Sequence, residues 1–269
     1  MHAPSPIQVD PDHRRALAWL RGNPLRHIVT LKMIHVGGRS VSCRWCEDAD
    51  GWGLLSLFHT GVFEYDQQTY ADRDWVVLID GTSAAAKAKL LEELPTGALV
   101  VKTYDPAVKE FLKRKLHASP VRSFVSFTIA PGGLPPSPTM AIVSSTNLDP
   151  AIAGIFAENG YGKSELARHF ADGARWFGIK EDGQVVSVGM VFRNFETIWE
   201  IGGVYTQPVR RRRGLARQVV LAALNYLHQS QLLPRYQVRS DNLGSIGLAA
   251  ASGLKEFLRM DHYLVDRTI

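Results

Sequence analysis

The sequence predicts a mixed α/β protein built from two domains. Three observations carry this. Short apolar strands alternate with amphipathic helices along the chain, a proline- and glycine-rich stretch interrupts the pattern near its middle, and the second half contains three consecutive alternating strands. At 269 residues the chain exceeds the ~100–150 residues of a common single domain. Apolar residues at 45% and charged residues at 21% exclude a chain disordered throughout. The formal charge of +5 favours an anionic partner without choosing one.

The elements read in order as follows. DHRRALAWLRG has the spacing of a short amphipathic helix, and HIVTLKMIHV, rich in β-branched residues, reads as a strand or a helix–strand junction. VSCRWCE and WGLLSLFHTGVFEYD read as strands separated by the polar turn EDADGWG. WVVLIDG is an apolar strand, and Thr82 or Ser83 can cap the helical run that follows it. ALVVKTYD and PAVKEFLKRKLHA repeat that order, with Pro106 near a helix start, and VRSFVSFTIA is an alternating strand. Residues 1–130 are therefore expected to form an amino-terminal α/β domain. PGGLPPSPT cannot continue a helix or a central strand, so 131–138 is expected to be a linker.

From 139 to 269 the expected order is β-α-α-β-β-β-α-β-α-β. AIVSS is a short strand, and Asp149 with Pro150 opens a helix. Gly160 and Gly162 end that helix, and Ser164 is expected to cap the next. ARWFGIKEDGQVVSVGMVFRNFETIWEIGGVYT is a three-stranded meander with turns at Asp182-Gly183 and RNFE. LARQVVLAALNYLHQSQL follows as a helix, RYQVRS as a strand and SIGLAAASG as a helix. KEFLRMDHYLVDR is the last strand or pair of strands.

The two cysteines lie in CRWC, Cys43 and Cys46, on an expected strand. Residues three apart on a strand point to opposite faces, so the pair is badly placed to chelate one metal; packed or half-exposed cysteines are expected, with redox or metal use as the alternative. FAENGYGKS imitates the end of a phosphate-binding loop, yet it lacks the first glycine, at Ala157, and the preceding strand. The amino-terminal region carries no long apolar run, nor does any other part, which predicts neither a secretory nor a spanning segment and favours the cytoplasm.

The chemistry concentrates where the meander feeds a helix, at VYTQPVRRRRGLARQVV. The first amides of a helix have no internal acceptor, and with the helix dipole they favour an anion. Gly214 and Ala216 keep side chains out of its approach, so a diphosphate fits the turn physically.

This junction resembles the acyl-coenzyme A signature of the GCN5-related N-acyltransferase (GNAT) superfamily, Gln/Arg-x-x-Gly-x-Gly/Ala, here Arg211-Arg212-Arg213-Gly214-Leu215-Ala216. The resemblance implies that main-chain groups of Val204, Tyr205 and Thr206 hold the pantetheine arm. It assigns Arg211, Arg212, Arg213, Gly214, Leu215 and Ala216 to the pyrophosphate. NLGSIGLAAASGL matches a second family element at Asn242, Ser245 and Gly253, so Asn242 and Ser245 are expected near the coenzyme, with Asn242 also able to cap the helix at Leu243. The tyrosine that often protonates the departing thiolate is replaced by Ala249, and the final Phe by Leu254. The likeness covers about 139–269 and implies a GNAT-like fold there. The first half has a βα pattern suited to a degenerate partner domain of related fold.

The resemblance further implies direct transfer of an acyl group, acetyl by default, from acyl-coenzyme A to an amine on a small molecule or peptide. No tightly bound cofactor, metal or membrane is expected, and no acyl-enzyme, since no cysteine lies in this half. Glu200 is the candidate base, four residues before Val204 on the same face of its strand; a solvated cross-strand charge pair is the bland alternative. Tyr205 and Tyr263 are candidate acids, though packed tyrosines are commoner. Trp52, Phe58, Phe63 and Tyr65 could line an acceptor site, although core packing is the usual fate of such rings. Two other function classes stay open: a non-catalytic acyl-coenzyme A sensor or protein-interaction module, and a basic nucleic-acid module reading the arginine block.

Overall fold

The computed structural model describes residues 4–130 and 132–268, so Pro131, at the start of the expected linker, lies outside the described residues. The chain folds as two compact units, one from Met1–Phe124 with Leu258–Ile269 and one from Val125–Phe257. The sequence expectation put the division at the proline-rich stretch and kept the carboxy-terminal residues with the second half. Both boundaries instead fall inside strands whose alternation is unbroken, where no loop signal marks them. Irregular chain at 132–142 is strapped within the second unit: Asn225 Nδ2 donates to Pro136 O at 2.8 Å and Thr139 N donates to Gln218 Oε1 at 2.7 Å.

The first unit contains β1 (Gln8–Val9), α1 (Arg14–Leu20), α2 (Ile28–Gly37), β2 (Ser42–Asp48), β3 (Gly51–His59), α3 (Glu64–Thr69), β4 (Trp75–Gly81), α4 (Ala84–Glu92), β5 (Gly97–Thr103) and α5 (Pro106–Lys115). Strands β6 (Pro120–Thr128) and β12 (Lys255–Arg267) each contain a unit boundary. The strand order is β1-β2-β3-β4-β5-β12, with β4 and β5 parallel. HIVTLKMIHV is a helix: Ile28, Leu31 and Ile34 bury one side at helical spacing, so packing overrides the β-branched composition. The strand expected through FEYD ends at His59, and the acidic pair Glu64 and Asp66 instead starts α3, where the helix dipole favours negative charge.

A core of Leu55, Val77, Leu90, Leu99, Val101 and Tyr263 lies under α4 and α5. Cys46 belongs to this core, while Cys43 contacts Ser56 from the other side of β2, and burial pushes the Cys43 thiol up to about 12. Trp52 stacks on Trp19, Phe58 is fully buried against Phe63, and only Tyr65 of the four suggested acceptor-site rings is largely exposed.

The second unit contains β7 (Val143–Ser145), α6 (Pro150–Glu158), α7 (Lys163–Ala171), β8 (Arg175–Glu181), β9 (Gln184–Phe195), β10 (Ile198–Thr206), α8 (Leu215–Gln229), β11 (Leu233–Arg239) and α9 (Leu243–Ala251). Its strands run β6-β11-β10-β9-β8-β7. Asp149 accepts from Ile152 N and opens α6 as expected, whereas Gly162, not Ser164, occupies the cap position of α7. Asp182 and Gly183, both at positive φ, make the two-residue turn between β8 and β9.

Alternation along the meander supplies two cores. Phe177, Val186, Val191, Trp199 and Ile201 face Val219, Val220, Leu224 and Leu227 of α8, while Val188, Met190 and Phe192 face Ile152, Phe156 and Leu166 of α6 and α7. Truncating Leu224, 1% exposed, to alanine would cost about 2–5 kcal/mol. Among the described residues no helix is long and apolar enough to cross a membrane.

Candidate functional site

Strands β10 and β11 run parallel but pair only from Ile198–Glu200 to Leu233–Arg235. Beyond Glu200 they leave a wedge, and Glu200 itself explains why. Its Oε1 accepts the backbone N–H of Gln237 at 2.8 Å, capturing an amide that would otherwise be free to carry the ladder further. Oε2 accepts Arg235 Nη1 at 2.6 Å and Asn194 Nδ2 at 2.7 Å, and Arg235 Nη2 donates to Ser126 Oγ at 3.2 Å. A buried polar row thus crosses β6, β11, β10 and β9. Both carboxylate oxygens are engaged within the protein, so the geometry gives Glu200 a clamping part and no free oxygen dedicated to proton abstraction.

Above the clamp, β10 bulges. Its register jumps from Gly202↔Met190 to Tyr205↔Val188, leaving 203–204 opposite Gly189 alone. Gly203 has φ +62°, and a Cβ there would meet the Phe156 ring at 2.8 Å; a Cβ at Gly202 would lie 2.4 Å from Tyr161 Oη. Phe156 and Tyr161 therefore pack directly on the bulge backbone. Burial foremost, then the Glu200 and Glu165 carboxylates, hold the Tyr161 hydroxyl well above the ordinary phenol range, and the Gly203 N–H faces its oxygen. Val204 packs towards α8 and Tyr205 towards α6, and Ser187 Oγ ties the bulge top by donating to Tyr205 O at 3.0 Å.

At the end of β10 lies a cavity of about 360 Å³. Thr206, Arg210, Arg211, Arg212, Gly214, Leu215, Ala216 and Arg217 line one wall; Gly244, Gly247, Leu248 and Ala251 of α9 line the other. The backbone amides of residues 212–217 have no protein acceptor among the described residues. Gly214 sits at φ +77°, and nothing lies within 4 Å of where its Cβ would be, so the backbone is bare towards the cavity. Fifteen residues of α8 stand behind these amides.

The arginines divide by partner. Arg210 and Arg213 grip Glu181 at 3.2 and 3.3 Å, Arg211 Nε donates to Thr206 O at 3.2 Å, and Arg217 Nε donates to Ala251 O at 2.8 Å. Arg212 is exposed at φ +66° with no protein partner among the described residues. Arg213 is outside the cavity lining and braces the loop from behind.

Of the remaining expected residues, Asn242 caps α9 by accepting Ser245 N at 3.0 Å. Ser245 Oγ meets Tyr236 Oη at 2.7 Å, and Ala249 is fully buried in the core. Tyr263 packs into the core of the first unit, where burial raises its pKa. The structure thus brings Thr206, Arg211, Arg212, Gly214, Leu215 and Ala216 to one cavity, with Val204 and Tyr205 on the strand below, and does not bring Tyr263 there. Tyr161, Phe156, Arg217, Gly244 and Gly247 were missed. The adjacent Gly202-Gly203 was the available signal that something packs on that strand.

The first unit shows what happens without such a loop. Only Thr82 and Ser83 join β4 to α4, Ser83 caps the helix by accepting Ala86 N at 3.1 Å, and buried Lys87 pairs with Asp105. Its parallel pair likewise stops at Leu78↔Lys102, but beyond that point Tyr104 Oη donates to Asp80 Oδ1 at 2.5 Å and closes the gap. Among the described residues no three His, Cys, Asp or Glu side chains converge as metal ligands would.

Residues 150–254, from the start of α6 to the residue before β12, match the family described as acetyltransferase (GNAT). Residues 150–254 form a domain of the GNAT superfamily. Solved structures share the fold of the GNAT domain and continue over the first unit. An acetyltransferase of the GNAT family from Colwellia psychrerythraea superposes with TM-score 0.58 at 11% identity, covering 97% of this chain and 100% of that one. A GCN5-related N-acetyltransferase from Kribbella flavida gives 0.56 at 14% identity, covering 89% and 95%. A tandem GNAT protein from the clavulanic acid biosynthesis pathway gives 0.55 at 12%, covering 99% of each chain. At these identities the likeness is one of fold. No curated protein matches the sequence.

Proposed function

We propose that the GNAT domain moves an acyl group, acetyl by preference, from acyl-coenzyme A to an amine in a ternary complex. The carrying observation is the run of unpartnered amides at 212–217, with Gly214 bare, around a cavity that begins at Thr206, the last residue of β10. Such a turn suits a pyrophosphate, because fixed N–H dipoles and the helix dipole stabilise charge without reorganising. Arg212, exposed at the rim, supplies a cation for it or for a ribose phosphate. The unpaired edge of β10 from Ile201 to Thr206 offers main-chain groups to the amide-bearing arm.

In the step itself the neutral amine adds its lone pair to the thioester carbonyl carbon, the carbonyl pair moves to oxygen, and collapse breaks the C–S bond. The new N–acyl group loses one proton and the departing thiolate gains one, so the exchange is balanced. Confinement of both reactants supplies much of the rate.

Two observations favour a second reading, a non-catalytic acyl-coenzyme A sensor: both Glu200 oxygens are engaged, and Ala249 offers no hydroxyl. Calorimetric titration with coenzyme A and acetyl-coenzyme A, followed by thiol release over a panel of small and peptidyl amines, separates them. Binding with turnover supports transfer, binding without turnover across the panel supports the sensor, and absence of binding overturns both. The arginine block gives little support to nucleic-acid binding, since Arg210, Arg211 and Arg213 are each tied to a protein group.

A further inference from the structure

We infer that the Tyr161 hydroxyl and the Gly203 N–H together receive the oxygen of the acyl carbonyl, so that Tyr161 touches the reacting group. This rests on the acyl-transfer reading above and adds to it a residue from the α6–α7 connection, outside the signature loop and the expected strand residues.

Position comes first. An arm anchored by phosphates at the turn after Thr206 runs down the unpaired edge of β10, and it must end before Glu200, where the ladder to β11 closes. From Thr206 to Gly203 is three residues, about 10 Å of strand. The reactive end of the arm therefore meets the bulge, whose residues 203–204 have left the β9 register.

Two donors converge at that point. The Gly203 N–H faces the Tyr161 oxygen, and Tyr161 Oη lies so close to the backbone that a Cβ on Gly202 would have to displace it. The ring is held edge-on between Phe156 and Phe192, with centroids 6.3 Å from each, which leaves the hydroxyl proton as the free degree of motion. With no ligand the phenol oxygen is the group facing the amide. An arriving carbonyl oxygen takes the amide, and the phenol becomes a donor to the same oxygen. Its neighbourhood keeps it protonated, as burial and the Glu200 carboxylate both oppose a phenolate.

The step then proceeds as follows. The amine nitrogen bonds to the carbonyl carbon, the C=O electron pair moves to the oxygen and is held by O–H and N–H, and its return expels the thiolate. Tyr161 keeps its proton throughout, and the proton shed by the ammonium balances the one gained by the thiolate.

The test compares two ligands on the full chain: coenzyme A, which has no carbonyl, and the ketone analogue of acetyl-coenzyme A with methylene in place of sulfur. Tyr161→Phe should weaken the ketone by about fivefold to tenfold and leave coenzyme A unchanged. A packing role for the hydroxyl would move both ligands alike. Infrared spectra of carbonyl-labelled acetyl-coenzyme A on the wild-type protein supply a readout that needs no variant, with the stretch expected below its value in water. An unchanged ketone-to-coenzyme ratio, or a carbonyl stretch equal to that in water, overturns the role of Tyr161 alone. Failure of the wild type to bind coenzyme A at all overturns the acyl-transfer reading and this inference with it.

Discussion

Glu200 and Arg235 meet at 2.6 Å at the last paired register of β10 and β11, and both are buried. The pair therefore sits at the apex of the wedge that the arm of the cofactor would enter. Removing Arg235 strands a carboxylate in a poorly solvated place. Arg235→Met is expected to cost about 3–5 kcal/mol in urea unfolding. Glu200→Gln should cost less, because the amide oxygen, placed where Oε2 stands, can still accept two of the three hydrogen bonds. Where both variants fold, the Michaelis constant for acyl-coenzyme A should rise more than turnover falls. A Glu200→Gln protein with normal binding and turnover lowered a thousandfold would instead make Glu200 the base.

Gly214 carries the cofactor turn. Its φ of +77° costs an L-residue roughly 1–2 kcal/mol, and a side chain there would project into the open cavity. Gly214→Val should therefore lower stability by about that amount and weaken coenzyme A at least tenfold. Gly214→Asn, which tolerates this conformation better, should recover much of the stability but little of the affinity. Equal affinity for coenzyme A in all three proteins would remove the turn from the binding site.

One cofactor should bind per chain. The first unit has the strand-turn-helix order, yet its turn is two residues long and its gap is closed by Tyr104 on Asp80 and Lys87 on Asp105. Calorimetric titration should give a stoichiometry near one, with that single site weakened at least tenfold by Gly214→Val and untouched by Tyr104→Phe. A second equivalent that persists in Gly214→Val would mean that the first unit also binds.

How far the sequence disclosed this depends on the kind of signal. The order of elements in the second half was legible because alternation in the meander and the 3.6-residue period of α8 are strong local patterns. Gly214 and Ala216 were legible because a backbone site leaves small residues at fixed spacing. HIVTLKMIHV misled because its composition is that of a strand and only the burial of Ile28, Leu31 and Ile34 decides for helix. Glu200 was placed on the right strand, but its partners Asn194, Arg235 and Gln237 come from neighbours that no spacing reveals. Tyr161 was invisible for the same reason: it reaches the bulge from a connection some forty residues earlier in the sequence.

Acid should weaken the first unit through one buried histidine. His262 is 5% exposed, its Nδ1 meets Tyr70 Oη at 2.6 Å, and Lys102, ion-paired to Asp66 at 2.5 Å, lies opposite it in register on β5. Burial foremost, then the Lys102 and Arg122 cations, hold its pKa well below 6.5. The folded protein thus keeps His262 neutral while the unfolded chain protonates it. Its contribution is complete above the unfolded pKa of 6.5 and is lost as pH falls towards the folded value, at up to about 1.4 kcal/mol per pH unit. Urea unfolding between about pH 7.5 and about pH 5.5 should show this slope in the wild type and a shallower one in His262→Gln, whose amide does not titrate. Equal slopes would mean that His262 protonates as easily inside the fold as outside it.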